Sequence, residues 1–262
     1  MGVLNVTPDS FSDGGLAFAP DAAIARALQM EEDGADLIDI GAESTRPGAE
    51  ALDAAEEWSR LQHVLRGLLG RLRVPVSVDT YKAEIARRAI DEGVAIVNDV
   101  SGLTYDPALG RVVAERGVPL ILMHTRGRSR HMYQEAHYDD VVGDVARELL
   151  LAVGRAVGAG VPWDALLLDP GLGFAKLAKH SLTLTARTAQ LAGLGRPLVV
   201  GPSRKSFLAA AVGPLPAEDR DWATAAAVTA AVLGGAAVVR VHRVKEMMQV
   251  VRVADALRDA RT

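Results

Sequence analysis

Short runs of apolar residues recur along the chain, and each ends in polar or glycine-rich residues. Eight such runs occur, rich in valine, isoleucine and leucine. They are Val3–Val6, Leu37–Ile40, Val76–Asp79, Ala95–Asn98, Leu120–Met123, Leu166–Asp169, Leu198–Gly201 and Ala237–Arg240. Continuous apolar runs of this length are typical of strands that are buried on both faces. The pattern therefore predicts eight buried strands.

Longer segments with helical periodicity lie between most of these runs. Gly34, Gly93 and Gly117 follow three of them, at positions where a left-handed residue commonly ends a helix. The predicted helices are Asp21–Asp33, Ala54–Leu72, Tyr81–Glu92, Pro107–Arg116, Asp139–Val157 and Trp222–Leu233.

Strands that alternate with helices in this way predict an α/β fold, a (β/α)8 TIM barrel. A doubly wound open sheet normally has five or six strands and a dinucleotide fingerprint, which makes it the weaker alternative. No low-complexity tract, proline-rich linker or sequence repeat interrupts the alternation. We therefore expect a single domain over residues 1–262.

Composition narrows the class of protein. The net charge of −4 and an aromatic content of only 4% argue against a nucleic-acid partner. The absence of cysteine excludes disulfides and cysteine-ligated metal centres, and it favours a cytoplasmic location. No long uncharged apolar stretch is present, so no membrane partner is expected. Trp58, Trp163 and Trp222 are expected to pack against the core.

The predicted strands end in polar residues. The active site of such a barrel lies at the carboxyl ends of its strands, so these residues are candidates for it. A single one is commonly a helix cap or a loop hydrogen-bonding residue, but eight of them converge on one rim. They are Asn5, Asp39, Asp79, Asn98, Asp169, Lys205, Arg240 and His242.

Three loops after these strands contain residues whose role can be interpreted in two ways. The oxygen-rich loop 5–15 suits a hard cation or polar substrate groups, or else forms an Asx-rich turn. Arg46 either clamps an anion or is solvated. Phe174 either stacks on a flat ligand or packs its own loop.

Cationic residues follow the last two strands, where barrels often bind phosphate. Residues 201–206 contain Arg204 and Lys205 and are predicted to open a helix whose N-terminus favours anions. Alternation along the eighth strand sends Arg240 and His242 to the same side. The pattern predicts a phosphate clamp, although the segment is not a Walker A loop.

Seven of these segments together resemble the dihydropteroate synthase family in order and spacing. They are residues 5–15, 43–48, 78–80, 98–100, 169–171, 203–207 and 240–242. The resemblance implies a (β/α)8 enzyme of folate synthesis that joins 4-aminobenzoate to 6-hydroxymethyl-7,8-dihydropterin diphosphate and releases diphosphate. It also implies Mg²⁺ as cofactor and a homodimer.

The resemblance assigns roles to individual residues. The pterin is expected to contact Asp79, Asn98, Met123, Asp169, Lys205 and Arg240. Asn5 is expected to bind the metal and the diphosphate, and the diphosphate region is expected to contain Arg46, Arg240 and His242. The 4-aminobenzoate site is expected to be framed by Thr45, Pro47, Phe174, Ser203 and Ser206. The residues expected to act in catalysis are Asp79, Asp169, Lys205, Arg240 and His242.

Three positions depart from the family pattern. Ala42 and Ala175 stand where the family usually has glycine, which restricts positive φ, and Arg243 stands where it commonly has aspartate. Two other hypotheses remain open. One is a related barrel that handles methyltetrahydrofolate in corrinoid methyl transfer, which needs no diphosphate clamp. The other is a pterin-binding paralogue without catalysis.

Overall fold

The computed structural model of the chain describes residues 1–7, 20–44, 48–128 and 131–260. Within these ranges it contains eight parallel strands at the positions of the eight apolar runs. They are β1 Gly2–Asn5, β2 Ile38–Gly41, β3 Val76–Asp79, β4 Ile96–Asp99, β5 Leu120–Met123, β6 Leu166–Asp169, β7 Val199–Val200 and β8 Val238–Val239. The predicted strands are confirmed, with ends that differ by at most one residue except in β7 and β8, which are shorter.

The strands close into a barrel. β1 to β6 form one parallel sheet in chain order, and β7 pairs with β8. Isolated bridges between Leu168 and Leu198 and between Gly2 and Val241 join these two sheets at both seams. Because every strand runs parallel to its neighbours, all carboxyl ends meet at one rim. The predicted (β/α)8 barrel is confirmed.

Helices connect the strands on the outside of the barrel. Within the described residues they are α1 Pro20–Glu32, α2 Ala54–Leu68, α3 Ala83–Glu92, α4 Ala108–Arg116, α5 Val141–Gly158, α6 Ala178–Ala186, α7 Thr188–Ala192, α8 Ala209–Val212, α9 Asp221–Leu233 and α10 Val244–Asp259. The six predicted helices are present. α2 ends four residues earlier than predicted, because the chain turns at Gly70 with φ 87°.

The segment after β7 corrects one prediction. Residues 201–206 do not open a long helix; a single 3₁₀ turn at Ser206–Leu208 is followed by the four-residue α8. Gly213, with φ 89°, and the prolines at 214 and 216 stop the helix there. A helix of one turn supplies little dipole, so the anion site predicted at a helix N-terminus is not supported.

Two apolar layers position the rim. The outer one packs the strands against the helices. The inner one is a cluster on the barrel floor, formed by Met1, Leu37, Ile96, Ile121, Leu167, Val199 and Val238. Side chains two residues apart on a strand point to the same face. The residues two positions beyond this floor therefore also face the interior; they include Asp39, Asn98, Met123, Asp169 and Arg240.

One of the three tryptophans packs as predicted and two are exposed, Trp163 at 42%. Trp58 packs against the core as expected. Trp222 is 88% exposed at the start of α9, so the expectation that it packs against the core is wrong.

Among the described helices, none has the length and apolar character needed to cross a membrane.

Candidate active site

Asp39 is the centre of a hydrogen-bond network that joins four strands. Its carboxylate is fully buried and accepts hydrogen bonds from Arg240 Nε at 2.7 Å and Asn98 Nδ2 at 3.0 Å. Ser77 Oγ donates a third at 2.5 Å. Two of the predicted pterin contacts are thus oriented by one carboxylate. Asp39 is one of the eight strand-end candidates, but the family resemblance assigns it no role. Its place two residues after Leu37, on the interior face of β2, is the sequence signal for this role.

Arg240 also reaches Asp79. Its second terminal nitrogen lies 2.9 Å from Asp79 Oδ2. Burial raises the pKa of Asp79 to about 7, even though the Arg240 charge acts in the opposite direction. Asp79 therefore titrates near neutral pH. The guanidinium of Arg240 is held between carboxylates of β2 and β3, and its predicted diphosphate contact stays a prediction.

Asp169 and Lys205 form the next part of the rim: Asp169 ends β6, and Lys205 follows β7. Asp169 is 6% exposed and accepts a hydrogen bond from the Gly171 amide at 2.7 Å. Burial raises the pKa of Asp169 and lowers that of Lys205 to about 8, although each partly offsets the shift of the other. Lys205 Nζ donates to the Leu172 carbonyl at 2.5 Å. The site can therefore present a carboxylate and an ammonium side by side.

An apolar wall borders these charged groups. Met123 and Phe174 belong to one small cluster with Tyr81, Val100 and Tyr105. Lys205 Nζ lies 4.7 Å from the centre of the Phe174 ring. Phe174 also borders a cavity of about 340 Å³. A flat heterocycle beside the carboxylates has an apolar surface to pack against.

Ser203 and His242 form a pair between the ends of β7 and β8. Ser203 Oγ accepts from the His242 amide at 3.2 Å and lies 2.9 Å from His242 Nδ1. Burial, followed by the nearby Arg240 charge, lowers the pKa of His242 to about 4. The imidazole is neutral at pH 7, and the serine hydroxyl is free to donate to Nδ1. In the tautomer in which Ser203 donates, the proton of His242 is on Nε2, which is then a neutral donor rather than a cation.

Several predicted residues lie apart from this network or outside the described residues. Thr45, Arg46 and Pro47 fall in a range that the structure does not describe, as does most of the loop after β1. Asn5 ends β1 and is half-buried, and Ser206 is exposed. Within the described part of the chain, no group of three or more His, Asp or Glu is arranged to hold a metal.

The positions that depart from the family pattern have different consequences. Ala175 adopts a left-handed conformation with φ 48°, so the residue is strained there. Ala42 is not among the described residues with positive φ, and no strain arises from it. Arg243 forms an ion pair with Glu246 at 2.6 Å and lies 3.7 Å from Asp221. Its charge is therefore balanced by neighbouring carboxylates.

A second buried network, not found by sequence reasoning, anchors the loop after β2. Glu43 accepts hydrogen bonds from Lys82 Nζ at 2.5 Å, the Tyr81 hydroxyl at 3.0 Å and the Leu52 amide at 3.1 Å. Lys82 also pairs with the buried Glu57. Glu43 begins the motif segment 43–48, but no local motif marks its partners Tyr81, Lys82 and Glu57, because they come from separate elements.

The whole chain is similar to proteins of known activity. The family model for pterin binding enzymes matches residues 1–242. The chain belongs to the pterin-binding enzyme family. A dihydropteroate synthase of Synechocystis sp. is 44% identical to this family member over 257 residues, which cover 98% of the chain and 89% of that relative.

Solved structures of the same family have the same fold. The dihydropteroate synthase of Xanthomonas albilineans with 4-aminobenzoic acid is 41% identical, has a TM-score of 0.91, and the match covers 98% of this chain and 91% of that chain. A structure of the enzyme from the same organism in complex with 7,8-dihydropteroate is matched at 38% identity with a TM-score of 0.88, covering 98% and 92%.

Proposed function

We propose that this member of the pterin-binding family is a dihydropteroate synthase. It joins 6-hydroxymethyl-7,8-dihydropterin diphosphate to 4-aminobenzoate and releases 7,8-dihydropteroate and diphosphate. The observation that carries the proposal is the Asp39 network, which brings Asn98, Asp79 and Arg240 to one rim of the barrel. The match to dihydropteroate synthases over nearly the full chain supports the same reaction.

The pterin is assigned to the space between the two carboxylates. A pterin ring carries amino and ring N–H donors on one edge and a carbonyl acceptor beside them. Asp79 and Asp169 accept from such donors, while Asn98 and Lys205 donate to acceptors. Both carboxylates are largely withdrawn from water, so leaving their oxygens unpaired costs several kcal/mol. That cost favours a ligand that completes the hydrogen bonds of the two carboxylates. In this proposal Met123 packs beneath the pterin ring.

The departing diphosphate is assigned to the rim near β1, β7 and β8. His242 donates a hydrogen bond from Nε2, and Arg240 supplies positive charge. Breaking the carbon–oxygen bond leaves its electron pair on the diphosphate, so the positive charge of Arg240 stabilises the transition state. No side-chain nucleophile is required.

The residues at this rim fit Mg²⁺ as a cofactor that arrives with its substrate. Asn5 offers a neutral amide oxygen beside β2, and Mg²⁺ is commonly held by one or two protein oxygens together with waters and substrate phosphates. The absence of an acidic cluster among the described residues agrees with such a site rather than with an all-protein cage. When bound, Mg²⁺ neutralises negative charge on the leaving group.

The arylamine is assigned to the side of the site bordered by Phe174. Its ring packs against Phe174, and its amine faces the pterin methylene. Ser203, Ser206 and the residues Thr45 and Pro47 frame the remaining sides in this proposal. The amine nitrogen forms the new carbon–nitrogen bond and then loses a proton.

We further propose that the chain is one domain over residues 1–262 and forms a homodimer. Exposed apolar side chains on the last two helices support the dimer: Trp222 on α9 is 88% exposed, and Val253 and Leu257 on α10 are 61% and 50% exposed. Burying such side chains against a second copy is favourable. The cytoplasmic location stays a prediction.

The decisive experiment is formation of dihydropteroate by the purified chain from the two substrates, with and without Mg²⁺. We expect metal-dependent product that is lost in Lys205→Ala and Asp79→Ala. Pterin binding without product would identify a non-catalytic paralogue, and unchanged turnover in both variants would exclude the assigned site. Methyl transfer from methyltetrahydrofolate to a corrinoid would instead identify the related barrel that handles methyltetrahydrofolate.

A further inference from the structure

The side chain of Lys176 is buried beside the candidate site, but Lys176 is not one of the residues predicted to contact a substrate. Its side chain is among the largest fully buried ones of the described residues. Three acceptors surround its ammonium nitrogen: the Phe174 carbonyl at 2.9 Å, His124 Nδ1 at 2.8 Å and the His124 carbonyl at 3.4 Å. Burial lowers the pKa of Lys176 well below its usual value, but the three acceptors oppose this effect because they match the three hydrogens of an ammonium group. Lys176 therefore ties the loop after β6 to the end of β5.

The histidine partner is held in the orientation that accepts this hydrogen bond. His124 Nε2 lies 2.9 Å from Glu148 Oε2, and Arg126 forms an ion pair with the same carboxylate. Burial, followed by the neighbouring Lys176, lowers the pKa of His124 to about 4, so the ring is neutral. Its single proton faces Glu148, and the lone pair on Nδ1 faces Lys176. The donor at this contact is therefore the lysine.

The loop from Gly171 to Ala175 packs directly against the end of β5. A Cβ atom at Gly171 would lie 2.0 Å from the His124 carbonyl oxygen, so the two backbones are in direct contact. The Tyr138 hydroxyl donates to the Ala175 carbonyl at 3.0 Å. Ala175 itself is held at φ 48°. A strained conformation of this kind persists only where surrounding contacts enforce it.

A second lysine contacts the same loop from the substrate side. Lys205 Nζ donates to the Leu172 carbonyl, and it lies 4.7 Å from the centre of the Phe174 ring. Lys176 holds the Phe174 backbone from the barrel side. The position of the aromatic ring is thus set by contacts of both lysines, one within the proposed site and one behind it.

We propose that Lys176 is a positioning residue that sets the place of the Phe174 ring and thereby the affinity for the aromatic amine substrate. The inference rests on the proposed function, because it assigns Phe174 to the arylamine side. Lys176 touches neither substrate and acts through the Phe174 carbonyl. Its removal affects the arylamine and leaves the diphosphate end of the pterin substrate unaffected.

The test compares Lys176→Met with Lys179→Met. Methionine keeps much of the buried volume but provides no donor, and Lys179 is an exposed lysine three residues further along the chain. We expect Lys176→Met to raise KM for 4-aminobenzoate about tenfold, with KM for the dihydropterin diphosphate within about twofold of wild type. Lys179→Met changes neither. An equal rise of both KM values in Lys176→Met would indicate a merely structural role and overturn the inference.

A double-mutant cycle with Phe174→Leu tests the route through the ring. If Lys176 acts through Phe174, Lys176→Met has little further effect on KM for 4-aminobenzoate once the ring is gone. Additive effects of the two substitutions would overturn the inference. If the methionine variant does not fold, Lys176→Leu replaces it throughout, because leucine also provides no donor.

A spectroscopic measurement separates this inference from the proposed function. The chain has four phenylalanines, so protein labelled with 4-fluorophenylalanine gives four fluorine resonances, and Phe174→Leu identifies one of them. We expect Lys176→Met to shift or broaden the Phe174 resonance and to leave that of the buried Phe207 unchanged. An unmoved Phe174 resonance overturns the inference. Lack of dihydropteroate formation by the wild type overturns the proposed function alone.

Discussion

Asp79 shows how burial tunes a single residue of this site. Its pKa is raised to about 7, whereas an aspartate in the unfolded chain titrates near 3.8. In the proposed role the ionised form accepts hydrogen bonds from the pterin. Protonation as the pH falls through 7 therefore removes acceptors from the bound state and competes with binding.

We expect pterin binding to weaken below pH 7. Calorimetric titration of a pterin ligand into the protein from pH 5.5 to 8.5 should give a Kd that is constant above about pH 7.5 and rises toward tenfold for each pH unit below 7. Asp79→Asn should bind more weakly, with little dependence on pH. A Kd that is flat across the range in the wild type would contradict this assignment.

In its proposed role, His242 is a neutral hydrogen-bond donor at the same rim. We expect His242→Ala to weaken binding of a pterin diphosphate by about tenfold, because a hydrogen bond to a charged acceptor is lost. Binding of a pterin without phosphates should change little. Because the pKa of His242 is about 4, the difference should be the same at pH 6 and pH 8. Equal losses for both ligands would count against a diphosphate contact.

At the scale of elements, the loop after β6 depends on close backbone contact. Gly171 has φ 64°, and a Cβ there would meet the His124 carbonyl oxygen at 2.0 Å. Gly70 also has a positive φ, but a Cβ there would have nothing within 4 Å. Alanine at Gly70 therefore meets only the cost of a positive φ, whereas alanine at Gly171 meets that cost and a steric clash as well.

We expect Gly171→Ala to lower the free energy of unfolding by about 3 kcal/mol or more, since the loop must move away from β5. Gly70→Ala should cost only about 1 kcal/mol, the cost of a left-handed alanine. Urea denaturation of both variants measures the difference. Similar losses would mean that the loop relaxes without strain.

At the scale of the whole molecule, Asp39 links distant parts of the barrel wall. It lies on β2 and holds Arg240, which follows β8, together with Ser77 on β3 and Asn98 on β4. Breaking one side of a buried ion pair leaves the other charge uncompensated. We expect Asp39→Ala to lower the free energy of unfolding by about 3 kcal/mol. The matched control is Asp36→Ala, at an exposed position near the same strand. This substitution should change the free energy of unfolding by less than about 0.5 kcal/mol. Equal effects of the two substitutions would contradict the stabilising role of Asp39.

The proposed dimer is also a property of the whole molecule. Val253→Glu places a charge on the exposed apolar side of α10, and we expect light scattering to show a shift from dimer to monomer. Leu150→Glu on α5 changes a side chain of comparable exposure on another helix and should leave the dimer intact. A monomeric wild type, or dissociation caused equally by both substitutions, would exclude this surface.

The local sequence was sufficient for the strands and for much of the rim. Strands buried on both faces require continuous apolar runs, and the residues that end those runs must lie at the carboxyl edge of a parallel barrel. This argument identifies Asp79, Asn98, Asp169 and Arg240, whereas Met123 comes only from the family resemblance. The helices α6, α7 and α10 were not predicted. α10 buries only Val244, Met247 and Ala254 fully, so its periodic signal is weak.

The sequence by itself determined the barrel, the positions of its strands and the acidic and basic residues at their ends, because periodicity and strand order are local properties. Only the tertiary structure decided which side chains pair. Asp39 with Arg240 and Lys176 with His124 come from elements 201 and 52 residues apart. The local sequence around a lysine does not show whether its side chain is solvated or buried. Only the packing around it determines whether its charge faces water or a carbonyl, and that packing is set by the whole fold.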